Sequence, residues 1–171
     1  MNLDQAQSLA VEILAQLKPL CRRAEVDGSV RRCVPEPNDI EIVAVPHPDG
    51  LVALRELVNH RWGAPEVGAF PAKYTRIRSA HNIDFFWATP QTWGLNYFIR
   101  CGSAQYVAGA LAHWKRITGG GYSEACQLHR ADGTLHPTPE EADVFAALGI
   151  PFARPDDRTY FAIERAEAAT G

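Results

Sequence analysis

Three carboxylates carry the chemical interest of this chain. Asp39 and Glu41 lie in the run Asp39-Ile40-Glu41-Ile42-Val43, where strand alternation puts both acids on one face and both isoleucines on the other. Neighbouring carboxylates repel and raise each other's pKa unless a cation lies between them. Asp84 sits in Asn82-Ile83-Asp84-Phe85-Phe86-Trp87, an apolar strand in which an unpaired acid would cost roughly several kcal/mol. It therefore requires a partner, either a metal ion or Arg76 or Arg78 across the hairpin. Ten residues before Asp39 comes Ser29, in Gly28-Ser29-Val30-Arg31-Arg32. A Gly-Ser at a strand-to-helix turn lets backbone N–H groups and a hydroxyl approach phosphate oxygens, and a following arginine can clamp them with its planar fork. Taken singly, each feature has a plain structural explanation: a solvent-facing strand, an ion pair, a turn with exposed arginines.

The combination is more specific than its parts. Gly-Ser, about ten residues, D-x-[DE], then a third acid on a later strand resembles the signature of the nucleotidyltransferase superfamily. Three carboxylates converging from neighbouring strands can hold two Mg²⁺ ions, one lowering the pKa of an attacking hydroxyl and the other neutralising triphosphate and leaving pyrophosphate. The stretches GSVRRC…DIEIV, NIDFFWATPQTWGLNYFIRCGS and TPEEADVFAALGIPFARPDDR occur in that order across residues 24–158. Together they are similar to DNA polymerase family X, the polymerase beta-like enzymes.

That resemblance implies an α+β fold: a nucleotidyltransferase palm of mixed sheet and helices over residues 1–100, and a small thumb-like subdomain over 101–171. It implies Asp39 and Glu41 bridging both Mg²⁺ ions, with Mn²⁺ as a substitute, and Asp84 completing the catalytic metal site near the primer hydroxyl. Gly28, Ser29 and Arg32 would hold the β- and γ-phosphates. Gly102 and Ser103 would border the sugar, with Arg100 beside them to reach phosphate or base. The activity implied is addition of dNMP from a dNTP (or NTP) to a DNA 3′-hydroxyl, filling short gaps in DNA repair, by a monomer on gapped or primer–template DNA. The family pattern is departed from at Glu41, where aspartate is usual, at Cys33, where glycine is usual, and at Ile99-Arg100-Cys101, where an aromatic pair and threonine are usual. Tyr106, Val107 and Leu111 stand in the region that would contact the nascent base pair. The sequence opens on the helix before the palm, so the expectation is a palm-and-thumb form without lyase or fingers modules.

The elements that must position these residues are legible in outline. Leu9, Ile13, Leu14, Leu17 and Leu20 mark an amphipathic first helix. Strands are expected at residues 24–27, 39–45, 73–78 and 82–87, the last two as a hairpin, with a helix over 51–60. Thr89-Pro90 reads as a helix start running to about Arg100, with a second helix from Ser103 to Lys115 or Arg116. Gly119-Gly120-Gly121 reads as a turn, since no GK[ST] follows. A small hairpin is expected around Asp132-Gly133, and Thr138-Pro139-Glu140-Glu141 reads as a helix start with Thr138 as N-cap.

At 171 residues and 46% hydrophobic content, the chain can bury a core without disulfides. Cys21, Cys33, Cys101 and Cys126 form no CxxC pair and are expected as reduced core thiols. Cys126, His129 and His136 make an incomplete zinc pattern lacking a fourth ligand. The acids in the first helix argue against a membrane span or signal peptide, so a cytoplasmic protein is expected. A net charge of −3 argues against a strong non-specific polyanion binder. Residues 132–171, with eight acids against three bases, carry −5 of it, leaving the preceding residues at +2. Arg100, Lys115, Arg116 and Arg130 against Glu124 alone allow a local basic face. Other functions fit the same residues: template-independent nucleotide transfer, transfer of a nucleotide to RNA or protein, and a non-catalytic nucleotide-binding accessory role.

Overall fold

The first helix, α1 (Leu3–Leu17), is opened by a capping box in which Asn2 Oδ1 accepts from Gln5 N–H and the Gln5 side chain accepts from Asn2 N–H. It ends before Pro19, whose ring disfavours helix in the preceding residue, so Leu20 falls outside it. Ala6, Ala10, Ile13 and Leu17 form its buried stripe, with Leu9 and Leu14 flanking. These positions come from a computed structural model, which describes residues 1–62, 65–67, 74–78, 80–123 and 125–158. Lys73, expected as a strand residue, lies outside the described residues. The chain divides into two compact units, Met1–Thr89 and Pro90–Gly171.

The first unit is a five-stranded mixed sheet with helices. Its strands are β1 (Cys21–Asp27), β2 (Ile40–Pro46), β3 (Pro65–Val67), β4 (Tyr74–Arg78) and β5 (Asn82–Trp87), in the order β1-β2-β5-β4-β3. Only β2 and β5 pair in parallel; the other neighbours are antiparallel. The one-turn α2 (Gly28–Arg31) follows β1, and α3 (Leu51–His60) follows β2. Alternation sends Ile40, Ile42 and Ala44 of β2, Ile83 and Phe85 of β5, and Ile77 of β4 into one core with α1 and with Leu54 and Val58 of α3. Phe85 stacks on Trp87, with ring centroids 5.4 Å apart, and Trp87 Nε1 donates to Thr75 Oγ1 at 3.1 Å. The opposite face of β2 and β5 carries Glu41, Val43, Asp84 and Phe86, and Tyr74 of β4 stacks on Phe86 there.

The second unit contains α4 (Trp93–Cys101), α5 (Ala104–Thr118), a three-stranded antiparallel sheet of β6 (Gly121–Tyr122), β7 (Leu128–His129) and β8 (Leu135–His136), and α6 (Glu141–Leu148). The β7–β8 hairpin turns at Asp132-Gly133 as expected, with Gly133 at φ +81°. Leu95, Phe98, Tyr106, Ala110, Trp114, Val144, Phe145 and Leu148 make its core. Because Leu95 and Phe98 pack with α6, α4 belongs to this unit, and the division falls after Thr89 rather than after Arg100 as the sequence suggested.

Both expected helix starts around threonine are displaced, for one shared reason. Helix α4 begins at Trp93, not at Pro90, because two of its first-turn amides are satisfied at long range: Gly94 N–H donates to Thr138 O at 2.7 Å and Leu95 N–H to Thr138 Oγ1 at 3.2 Å. The Thr138 hydroxyl, so engaged, does not cap its own helix. Helix α6 is capped instead by Glu140 and Asp143, with Glu140 N–H donating to Asp143 Oδ2 at 2.7 Å. Gly94 permits this approach, since a Cβ there would strike the backbone of Glu140 and Thr138. Ser103 caps α5 as expected, its Oγ accepting from Tyr106 N–H at 3.2 Å, and Gly119 in the left-handed conformation ends that helix. No helix among the described residues is long and apolar enough to cross a membrane.

Arg158 is the largest charged group in the second core. Its side chain is fully buried, donates to Glu141 Oε1 at 2.6 Å and to Ala153 O at 3.0 and 3.1 Å, and lies over the rings of Phe98, Phe145 and Phe152. Removing one member of such a pair strands the other charge. Arg158→Met is expected to lower the stability of the second unit by about 3–5 kcal/mol in urea unfolding, and adding Glu141→Leu to recover most of that loss.

Candidate functional site

The parallel pairing of β2 with β5 sets Glu41 opposite Asp84, while β1 sets Asp27 opposite Glu41 and β4 sets Arg76 opposite Asp84. A single row across four strands therefore reads Asp27, Glu41, Asp84, Arg76, on the face turned away from the α1 core. Asp39 stands just before β2, two positions from Glu41 and within electrostatic reach of Asp84. Of the expected site residues, Gly28, Ser29, Arg32, Asp39, Glu41 and Asp84 all lie in the first unit around this row. Arg100, Gly102 and Ser103 belong to the second unit.

Each acid in the row has its own environment. Asp84 is 3% exposed and is met by two guanidiniums. Arg78 Nη1 donates to Oδ1 at 2.7 Å and Nη2 to Oδ2 at 3.2 Å; Arg76 Nε and Nη2 reach the same two oxygens at 3.4 Å. This is the ion pair that the apolar strand demanded. Glu41 leans the other way. A Cβ at Gly28 would land on the Glu41 carboxylate, and Gly28 holds φ +63°, so this glycine both shapes the turn into α2 and leaves room for the acid. On their shared face the two neighbouring carboxylates thus lean apart, Glu41 toward the Gly28 turn and Asp84 toward β4, as like charges do.

Asp39 is half-buried and takes no hydrogen bond within the described residues. Burial first, then the Asp84 carboxylate, push its carboxyl above the ordinary carboxylate range, against the smaller downward pull of Arg78, Arg76 and Arg32. Ser29 Oγ is a buried hydroxyl with no hydrogen-bond partner among the described residues, an arrangement that suits an incoming acceptor oxygen. Asp27, fully buried with Arg31 Nη1 at 3.5 Å from Oδ1, was not singled out from sequence; the available signal was its place directly before Gly28-Ser29.

All of these donors are carboxylate or hydroxyl oxygens, the set that Mg²⁺ prefers. Among the described residues, no three acids, histidines or cysteines close on one point as a formed metal site; Asp84 is turned to β4 and Glu41 to Gly28. In the second unit, Ser103 spends its hydroxyl on the α5 cap, and a Cβ at Gly102 would meet Val107 at 2.8 Å. Half-buried Arg100 borders an open recess with Ile99, Tyr122, Ser123 and Cys126. Lys115, Arg116 and Arg130 are exposed.

The cysteines are all free thiols. Cys21 and Cys101 are buried as expected, and burial pushes the Cys21 thiol up to about 11. Cys33 departs from the expected core position: it is exposed and holds φ +56°, a conformation that favours glycine. Cys126, His129 and His136 do not gather as a metal group among the described residues; His136 instead packs on Trp114 and accepts from Arg130 at 3.0 Å. No protein-family model matches the chain, and no curated protein matches it.

Two stability measurements check this geometry. Gly28→Ala is expected to cost about 1–3 kcal/mol through the left-handed backbone and the displaced Glu41. Asp39 keeps a proton that the unfolded chain releases first, so it makes stability fall as pH rises from about 3.8, the ordinary value, through its raised one. Asp39→Asn should therefore raise the melting temperature at neutral pH and flatten that decline; an unchanged pH profile would contradict the assignment.

Proposed function

We propose that this chain is a minimal polymerase beta-like nucleotidyltransferase that extends a DNA 3′-hydroxyl from a dNTP, filling short gaps. The observation that carries the reading is the in-register placement of Glu41 beside Asp84, with Asp39 two positions before Glu41 and Gly28-Ser29 against the Glu41 carboxylate. Three acids on one sheet face beside a Gly-Ser turn form the constellation that two-metal phosphoryl transfer requires.

In this reading Asp39, Glu41 and Asp84 would together hold two Mg²⁺ ions. When bound, the ions supply the Lewis acidity that eases deprotonation of the attacking hydroxyl and offsets charge on the leaving pyrophosphate. Ser29 donates its hydroxyl, which has no partner among the described residues, to a phosphate oxygen, and the Gly28 turn lets backbone amides come close to the same group. Arg32, within electrostatic reach of Asp39, adds a planar fork for the β- and γ-phosphates. Asp39 is half-buried, and its carboxyl is raised by burial first and then by Asp84, so a bound cation would relieve it by offsetting that repulsion. Arg100, Gly102 and Ser103 are the second unit's candidates for the sugar and base.

The net charge of −3 favours a second reading, transfer to an RNA or protein acceptor, because gripping duplex DNA rests largely on cationic side chains. Single-nucleotide extension on one-nucleotide-gapped DNA, with Mg²⁺ and each dNTP and NTP separately, decides between them. Template-matched addition is expected, with a fall of at least about a thousandfold in Asp39→Asn and in Asp84→Asn, the scale on which ion-clamp losses act. Addition indifferent to the template would indicate a terminal transferase. No addition to DNA alongside metal-dependent triphosphate binding would point to RNA or protein acceptors, and triphosphate binding without transfer to any of them to an accessory role.

A further inference from the structure

Asp84 is saturated. A carboxylate offers about four lone-pair sites, and four guanidinium N–H groups meet its two oxygens, Arg78 at 2.7 and 3.2 Å and Arg76 at 3.4 Å twice. The acid's side chain is 4% exposed, so these contacts lie in a setting where charge pairing is weakly screened. Any cation that coordinates Asp84 must take lone pairs that a guanidinium now uses.

The two arginines are not equivalent. Arg76 makes the longer contacts, is the more exposed at 39%, and has a second seat over the Tyr74 ring, 5.2 Å from its centroid. Arg78 makes the shorter contacts and is 26% exposed, and its Nη1 also donates to Ile77 O at 3.0 Å. Both come from alternate positions of β4, so they share the Asp84 side of the sheet, while Thr75 and Ile77 are buried on the other.

We propose that Arg78, with Arg76 in support, is a displaceable counter-ion of Asp84 that competes with the divalent cation and so sets the cation affinity of the site. Arg78 is thus a positioning residue: it acts on the cation through Asp84. The inference rests on the metal reading of Asp39, Glu41 and Asp84. Cation binding then begins at Asp39, which takes no hydrogen bond within the described residues, and is completed when Asp84 exchanges a guanidinium for the ion. The divalent ion carries one more positive charge than the guanidinium it replaces, so the exchange offsets more of the negative charge at the acids, and the freed guanidinium stays on β4 as a cation beside the site.

The test is Mn²⁺ binding to the full chain, without nucleotide or DNA, followed by the loss of the free-ion electron paramagnetic resonance signal. Arg78→Gln is expected to bind Mn²⁺ about tenfold more tightly than wild type, the scale set by removing one unit charge a few ångström from the ion. Arg78→Lys, which keeps the charge and loses the fork, should move the same way by less and remains informative if the glutamine variant does not fold. In an Asp84→Asn background the tightening should vanish, which separates competition at Asp84 from a change in bulk charge. Unchanged or weaker binding in Arg78→Gln, with wild-type binding that depends on Asp84, would overturn this inference and leave the metal reading standing. Tightening that persists without Asp84 would also overturn it. If neither wild type nor Arg78→Gln binds Mn²⁺, the metal reading fails and this inference with it.

Discussion

The parallel register of β2 with β5 fixes two carboxylates side by side, and much of the first unit answers that repulsion. Glu41 and Asp84 are paired positions on adjacent central strands, so neither can move away without breaking a ladder in the middle of the sheet. On one side the answer is steric: Gly28 has no Cβ, which opens room for the Glu41 carboxylate at the turn into α2. On the other it is electrostatic: β4 brings Arg76 and Arg78 to both oxygens of Asp84. What remains uncompensated is Asp39, whose carboxyl burial and Asp84 hold above its ordinary range.

The opposite face of the same strands makes the constraint rigid. Ile40, Ile42, Ile83 and Phe85 are at most 1% exposed and lock β2 and β5 onto α1 and α3. A slip of one residue in either strand would bring Glu41 or Asp84 into that core and expose an isoleucine in exchange, which burial energetics forbid. The apolar residues therefore specify where the acids stand, although they touch no part of the candidate chemistry.

Sequence reading recovered the parts of this arrangement that depend on period or on local capping. Alternation in residues 39–45 and 82–87 located both acidic strands, periodicity located α3 over Leu51–His60, and Ser103 marked the start of α5. The need of a buried Asp84 for a partner was legible from its apolar neighbours, and the arginines of the hairpin were among the candidates. What local reasoning missed depends on contacts far apart in sequence. Thr138 looked like the cap of its own helix but spends its hydroxyl and carbonyl on α4. The first helix buries Ala6 and Ala10 rather than Leu9 and Leu14, since small residues allow the closer approach to the sheet. Asp27 joined the acidic row through a strand register that no spacing rule reveals. Cys33 stands in the left-handed conformation that favours glycine, a backbone requirement that its residue type does not announce.

The charges on this sheet face bear on stability and on function in opposite senses. A chain selected only for stability would have no use for three acids within one small patch, one of them raised in pKa by burial and by its neighbour. Stabilising one member with arginine, as at Asp84, lowers the cost of the patch but also occupies the oxygens that a cation would use. The strength of that pairing is therefore bounded on both sides. Too weak, and a buried carboxylate destabilises the central strand of the sheet; too strong, and the proposed divalent ion could not compete. Arg78 meets Asp84 at 2.7 and 3.2 Å and Arg76 at 3.4 Å, and both guanidiniums are partly exposed to solvent. That solvent access favours the proposed exchange, because a guanidinium released from Asp84 would be rehydrated.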